Sequence, residues 1–392
     1  MLRTLPADFW RLWFVGMVIS TVRWLETVAV AIVVYHQTSS AFLVAVITML
    51  RLLPMALFGA FLGAFAERFD RRLTLALLIG LMAATSATLS FLAWHGPLAI
   101  WQLALGAFVN GCGWATDNPL RRMMMGEAVG RERMATAMAF DVGASNASRM
   151  VGPTVGGLLL AGIGIEGAFL LSAVLYLTAI AATLAVRTRL APSPGAGAVL
   201  GRTWEAIVIV FSDKRLAATM VVTVIYNVFA WPFTSMIPVI ARDRLALGPE
   251  GVGILTSFDG IGAFVGALAL AMWLTPGWHA RAYTGGVAVY LLGLIGFAFA
   301  PTSVLAAASL LVTGLSGAAF STLQATIVYL AAPHEMRSRM LGVLSVCIGT
   351  GPIGFLLLGW LADRIGAAEA TAVTGGLGLL ALAATRPLWR RI

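Results

Sequence analysis

The feature that most constrains this chain is the repetition of apolar runs of roughly 20 residues or more, each long enough to cross a hydrocarbon layer of about 30 Å as a helix. Spans are expected at about 9–35, 41–66, 73–94, 98–121, 134–161 and 166–186, and again at 215–240, 250–274, 281–300, 303–331, 337–361 and 367–385. Sixty per cent of the 392 residues are hydrophobic and 11% charged, far too few polar groups to cover a soluble domain of this size. The 42 glycines suit membrane helices, where small residues let backbones approach closely. The expected fold class is an all-α polytopic membrane protein with twelve transmembrane helices in two pseudo-symmetric six-helix bundles.

The longest polar stretch, Arg187 to Asp213, marks the expected boundary: a first bundle over 1–187, a cytoplasmic linker over 188–213 and a second bundle over 214–392. Gly351-Pro352 in span 11 repeats Gly152-Pro153 in span 5 about half the chain length later, which fits duplication. Of the 26 Lys and Arg residues, 20 fall in the termini and the even-to-odd loops, so the positive-inside rule puts both termini in the cytoplasm, here of a bacterial inner (plasma) membrane. The opposite loops hold Arg242, Arg244 and Arg364, and Arg23, Arg51 and Arg149 fall inside spans.

The net charge of +9 does not indicate nucleic-acid binding, because the arginines sit in short loops and form no basic domain. Cys112 and Cys347 are far apart in apolar runs and imply neither a metal site nor a disulfide. The four histidines, His36, His95, His279 and His334, lie at span ends or in loops and build no enzyme site. Met1–Arg11 is short and basic, and reads as the approach to the first span rather than a cleaved signal.

Charged groups inside spans are costly in lipid and are therefore functional candidates. Arg23 and Glu26 lie three apart on one face of span 1, Arg51 near the middle of span 2, and Asp259 in the outer half of span 8. Asp141, Ser145, Ser148 and Arg149 form a stripe on span 5. Glu26, Asp141 and Asp259 are the proton-coupling candidates. The alternative is structural ion pairing, with Arg23 and Glu26 neutralising each other. Uncharged candidates for a substrate cavity, beside Arg23, Arg51 and Arg149, are Trp24, Asn118, Asn146, Tyr226, Asn227, Trp231 and Gln324. Pro232 is expected to bend span 7 beside Trp231.

A third set has a conformational character. Gly59, Gly63, Glu67, Arg68, Asp70, Arg71 and Arg72 form G-x3-G-x3-E-R-x-D-R-R across the end of span 2 and its loop, with charges suited to a latch. Gly143, Gly152, Pro153, Gly156 and Gly157 fall in span 5, with Gly351 and Pro352 as counterparts in span 11.

These two motifs resemble those of the major facilitator superfamily. The Glu67–Arg72 turn is similar to the superfamily's G-x3-D-R-x-G-R-R, with Asp70 in place of the usual glycine. Gly143 to Gly157 is similar to its antiporter motif. Asn146-Ala-Ser148-Arg149-Met-Val-Gly152-Pro153 and the region from Gln324 to Asp363-Arg364 resemble the branch of drug/proton antiporters that includes enterobactin exporters and macrolide efflux proteins. That branch usually carries a Gly-Asp-like step early in span 1, where this chain has Thr21-Val22-Arg23 with Glu26 nearby. The resemblance implies proton-coupled export of a small molecule by alternating access, with the proton gradient as energy source and no cofactor. Uptake or uniport of an organic solute is the alternative. The expected partners are the small-molecule substrate and the lipid bilayer, with no nucleic acid and a functional monomer.

Overall fold

The computed structural model describes residues 5–66, 70–187, 213–332 and 337–389, and every element among them is helical. The first five helices are α1 Ala7–Thr38, α2 Ala41–Ala66, α3 Arg71–His95, α4 Ile100–Val129 and α5 Met134–Leu184. Next, α6 Lys214–Ile225 passes through a π-helical turn, Tyr226–Ala230, and a 3-10 turn, Trp231–Ser235, into α7 Ile237–Asp243. The remainder is α8 Pro249–Trp273, α9 His279–Ala298, α10 Ser303–Ala331, α11 Arg337–Ile348, α12 Gly351–Ile365, α13 Ala367–Ala384 and the short α14 Arg386–Trp389.

Among the described residues nine helices are long and apolar enough to cross a membrane. One of them, α5, is two spans, because Gly164 breaks it with φ +72° and ψ −178°. That positive φ favours glycine, and a side chain there would also strike the Glu166 carboxylate. With α2 and α4 added, each of the twelve expected spans has its helix. Large apolar side chains face outward, such as Leu77 at 74% exposure and Val304 at 78%, which places lipid rather than water against these surfaces.

Two expectations need correction and a third takes a specific form. The expected end of span 4 at Arg121 is wrong: α4 continues to Val129, and Arg121 is buried inside it. Span 7 changes its winding at Pro232, where a bend was expected. Pro232 has no N–H for the Val228 carbonyl four residues earlier, and the backbone changes to π and then 3-10 winding there. Span 11 is likewise interrupted. Its α-helix stops at Ile348, the carbonyl Pro352 cannot satisfy, and α12 restarts at Gly351 with proline in its first turn.

The chain divides into two compact units. One comprises Met1–Val34, Leu50–Ala196 and Gly248–Ser257. Its core joins Phe9, Leu12, Val15 and Ile19 of α1 to Leu75, Ile79 and Met82 of α3, Met124 and Met125 of α4, and Tyr176 of α5. The other comprises Tyr35–Met49, Gly197–Leu247 and Phe258–Ile392. Within it Leu216 and Met220 of α6 pack with Val328 of α10 and Met340, Val343 and Leu344 of α11. A chain of rings, Tyr283–Phe320–Tyr226–Tyr290–Phe233–Phe297, continues that interior.

Candidate functional site

Five helices of the first unit converge on Glu26, which is 1% exposed. Its Oε1 accepts the Ser86 hydroxyl of α3 at 2.8 Å, and its Oε2 accepts the Asn110 amide of α4 at 3.2 Å. Arg51 of α2 lies 3.8 Å from the same Oε2. The Tyr176 hydroxyl of α5 donates to Asn110 Oδ1 at 3.3 Å and closes the network. Arg51 spends its Nη1 on α1 itself, donating to the Arg23 carbonyl at 2.9 Å and the Thr27 hydroxyl at 2.8 Å. Gly111 makes this approach of α2 to α4 feasible, since a Cβ there would overlap the Arg51 carbonyl and stand 3.0 Å from Pro54.

The suggested Arg23–Glu26 pair does not form. Arg23 swings away, with its guanidinium 4.5 Å from the Trp114 ring and 5.5 Å from the Trp24 ring, while Glu26 turns to α3 and α4. Spacing of three puts the two on one face of α1, but each side chain finds its partners on other helices. Arg149 of α5 also approaches Trp24, at 5.4 Å. Ile19, Arg23, Arg51, Met82, Asn110, Trp114 and Tyr176 line a cavity of about 10 Å³, room for one water-sized group.

Asp141 occupies a second polar centre. It pairs with Arg121 and, at 2.9 Å, with Arg122, while Arg121 also contacts Asp117 at 3.3 Å. Gly16 of α1 leaves the space that the Arg121 guanidinium fills. Asp141 therefore has two cationic partners at close range, whereas Glu26 has one at a longer distance. Asp259 of α8, in the second unit, is buried, and its backbone carbonyl rests against Gly314 of α10.

The span 5 motif is a packing seam. A Cβ on Gly152 would lie 2.6 Å from Trp24 Cβ, and one on Gly156 would lie 2.6 Å from the Leu25 carbonyl. Gly157 meets Gly253 at the start of α8, where its Cβ would stand 3.0 Å from the Gly253 Cα. Beside that contact Thr154 and Ser257 share a hydroxyl hydrogen bond of 2.8 Å. Thr21 of α1 donates to Ser148 at 3.0 Å along the same seam. Gly143 differs, having open space around it. Asn146 is half-buried on the same helix.

In the loop motif, Glu67 and Arg68 lie outside the described residues, and Gly59 and Gly63 fall in the last turns of α2. Asp70 caps α3 by accepting Leu73 N–H at 3.0 Å. Arg71 pairs with Glu127 of α4 at 2.7 Å, and Arg72 donates to the Val186 carbonyl at 3.0 Å. Arg71 and Arg72 therefore tie the start of α3 to the ends of α4 and α5 within the first unit, while Asp70 caps α3 itself.

In the second unit Tyr226 stacks on Phe320 with centroids 3.6 Å apart, and Asn227 donates to the Thr223 carbonyl at 2.8 Å. Trp231 packs edge-on to Phe355 and against Gly351, whose Cβ would be 3.1 Å from the indole. Pro352 opens α12 beside them. Trp24 Nε1, Asn118 Oδ1 and Gln324 Oε1 are buried polar atoms without a hydrogen-bond partner among the described residues. Such atoms are rare unless something else visits them.

Sequence reasoning missed Ser86, Asn110 and Tyr176, which carry ordinary membrane-helix residue types and become notable only through their contacts, and it missed Asp117, whose charge inside an expected span was the signal that could have found it. It also missed the far end of the second unit. There Tyr35 donates to Asp243, and Asp363 accepts from Ser40 and Phe42. No group of three or more His, Cys, Asp or Glu suited to a metal occurs among the described residues.

Comparison with known proteins adds four findings. The sequence profile of the transmembrane secretion effector family matches residues 5–389. Macrolide efflux protein A of Streptococcus pyogenes is 22% identical over 376 residues, covering 92% of this chain and 91% of that protein. Multidrug efflux pump Tap of Mycolicibacterium fortuitum is 28% identical over 302 residues, covering 74% and 69%. The crystal structure of a POT family transporter in complex with 5-aminolevulinic acid superposes with a TM-score of 0.81 at 14% identity, covering 98% of this chain and 96% of that one, which shows the shared fold.

Proposed function

We propose a cargo class, a direction and a coupling ion for this chain, which belongs to the transmembrane secretion effector family of the major facilitator superfamily. As a member it is a secondary transporter, not an enzyme, and moves a small molecule by alternating access. Our reading is proton-coupled export of a small organic molecule, whether drug-like compound, siderophore or metabolite. The observation that carries the coupling is the buried Glu26, held by two neutral donors and by a guanidinium at 3.8 Å. A carboxylate so placed is ready to exchange a proton when its surroundings change. Export is supported by the efflux relatives and by the resemblance of the Gly143–Gly157 stretch of α5 to the superfamily's antiporter motif.

The alternative reading, proton-coupled uptake or uniport of an organic solute, has the broader support, because the solved structures sharing this fold include peptide and nucleoside transporters. In this reading the protein sits in a bacterial inner membrane with its termini and the 188–213 linker in the cytoplasm, an orientation that the Lys/Arg bias supports. In this reading the bundles 1–187 and 214–392 rock against each other in a functional monomer.

The test is transport of a labelled compound panel in inverted and right-side-out vesicles, with and without a protonophore. Uphill movement into inverted vesicles that stops with the protonophore is the expected result. Accumulation only in right-side-out vesicles replaces export with uptake, and movement indifferent to the protonophore removes the proton.

A further inference from the structure

We infer that the group presented to Arg23 by the cargo is an anion, so that the transported class is organic acids such as carboxylates; this rests on the carrier reading above. The argument begins with charge. A guanidinium stays protonated in a protein, and one removed from water needs an anionic partner. Among the described residues Arg23 makes no salt bridge, and Asp117, the carboxylate whose field reaches it, is paired with Arg121 at 3.3 Å. Each nearby acid is committed elsewhere. Glu26 is held by Ser86, Asn110 and Arg51, and Asp117 faces Arg121 at 3.3 Å.

What surrounds Arg23 instead is two indole faces, Trp114 at 4.5 Å and Trp24 at 5.5 Å. Ring faces attract the cation but accept none of its edge-on N–H groups, and in a half-buried guanidinium that fork matches the two oxygens of a carboxylate. Trp24 adds a second unsatisfied donor, since its Nε1 is buried without a partner. Asn110, the amide on the cavity wall, has its N–H groups occupied by Glu26 and the Gly106 carbonyl. Beside the guanidinium the site thus offers a free donor in Trp24 Nε1, which suits an anion rather than an ammonium, while the free acceptor Asn118 Oδ1 belongs to the next turn of α4 after Trp114. The adjoining cavity of about 10 Å³, lined also by Ile19 and Met82, leaves room for one water-sized group beside the guanidinium.

The experiment uses the full-length protein in lipid nanodiscs and three probes of one shape: 4-phenylbutyrate, 4-phenylbutyramide and 4-phenylbutylammonium. Thermal unfolding is followed against probe concentration at constant ionic strength, with sodium chloride as the inorganic control. The carboxylate is expected to stabilise saturably, at a concentration about tenfold or more below that of the amide, with no effect of the ammonium. Arg23→Gln should abolish the preference, and Arg23→Lys should keep part of it. Trp24→Phe, which retains the ring and loses the N–H, should weaken carboxylate binding several-fold, and it serves where Arg23→Gln does not fold. Equal binding of amide or ammonium, no saturable effect of the carboxylate, equal stabilisation by chloride, or a preference that survives Arg23→Gln overturns the inference. Uphill transport of an organic cation in liposomes sinks the anion class while the carrier reading stands. Arg23-dependent carboxylate binding without transport of any panel compound sinks the carrier reading instead.

Discussion

Asp363, near the end of α12, accepts the backbone N–H of Phe42 at 3.0 Å and the hydroxyl of Ser40 at 2.7 Å. Ser40 in turn accepts Leu43 N–H at 3.2 Å, so one carboxylate and one hydroxyl together cap the first turn of α2. Asp363→Ala is expected to cost about 1–2 kcal/mol of local stability, and Asp363→Asn, which keeps one acceptor oxygen, less. Hydrogen exchange on peptides covering 39–49 reads the effect. Unchanged protection in the alanine variant means that the cap does not hold this corner.

Two glycines of α5 predict opposite outcomes. Gly156 faces the Leu25 carbonyl, and a Cβ there would sit at 2.6 Å, so Gly156→Leu should push α1 and α5 apart. Overpacking of this kind costs about 1–3 kcal/mol, and transport should fall to near background. Gly143 has open space, so Gly143→Ala should keep transport and gain up to about 1 kcal/mol of helix stability. Transport and thermal unfolding of both variants decide the matter. Normal transport by the Gly156 variant would show the seam to be dispensable.

Glu26→Gln keeps the shape and one acceptor oxygen and removes the exchangeable proton. If Glu26 couples, proton-driven uphill transport disappears while counterflow down a substrate gradient persists with weakened pH dependence. Both rates are to be read on the same reconstituted sample. Uphill transport with unaltered pH dependence eliminates Glu26, and Asp141 and then Asp259 become the next to test.

The Arg71–Glu127 pair joins a cation at 4% exposure to a carboxylate at 40% exposure, so the arginine loses more than the acid when the pair breaks. Arg71→Ala is expected to slow turnover more than it weakens ligand binding. A double-mutant cycle with Glu127→Ala should give a coupling of about 0.5–1 kcal/mol, since one partner remains partly in water. Lost binding at constant turnover would mean that this end of the unit touches cargo instead.

The spanning helices were legible from the sequence because crossing a lipid layer is a local requirement. Each run must be apolar enough and long enough by itself, whatever packs beside it. The same locality exposed Pro232 as a bend and Gly152 with Gly156 as a close-packing face, since a missing N–H and a missing Cβ act on their immediate surroundings. Partner choice is not local. Glu26 could be matched on paper with Arg23, three residues away, but its partners come from α2, α3 and α4, and Arg23 finds indole rings. Arg121 and Arg122 read as a loop because adjacent charges suggest water, and only the fold brings Asp141 across from α5 to keep Arg121 buried inside α4. The apolar pattern thus determined which segments enter the membrane. Which buried charges meet was decided by tertiary structure alone, because Coulomb and hydrogen-bond energies depend on distances that sequence spacing does not contain.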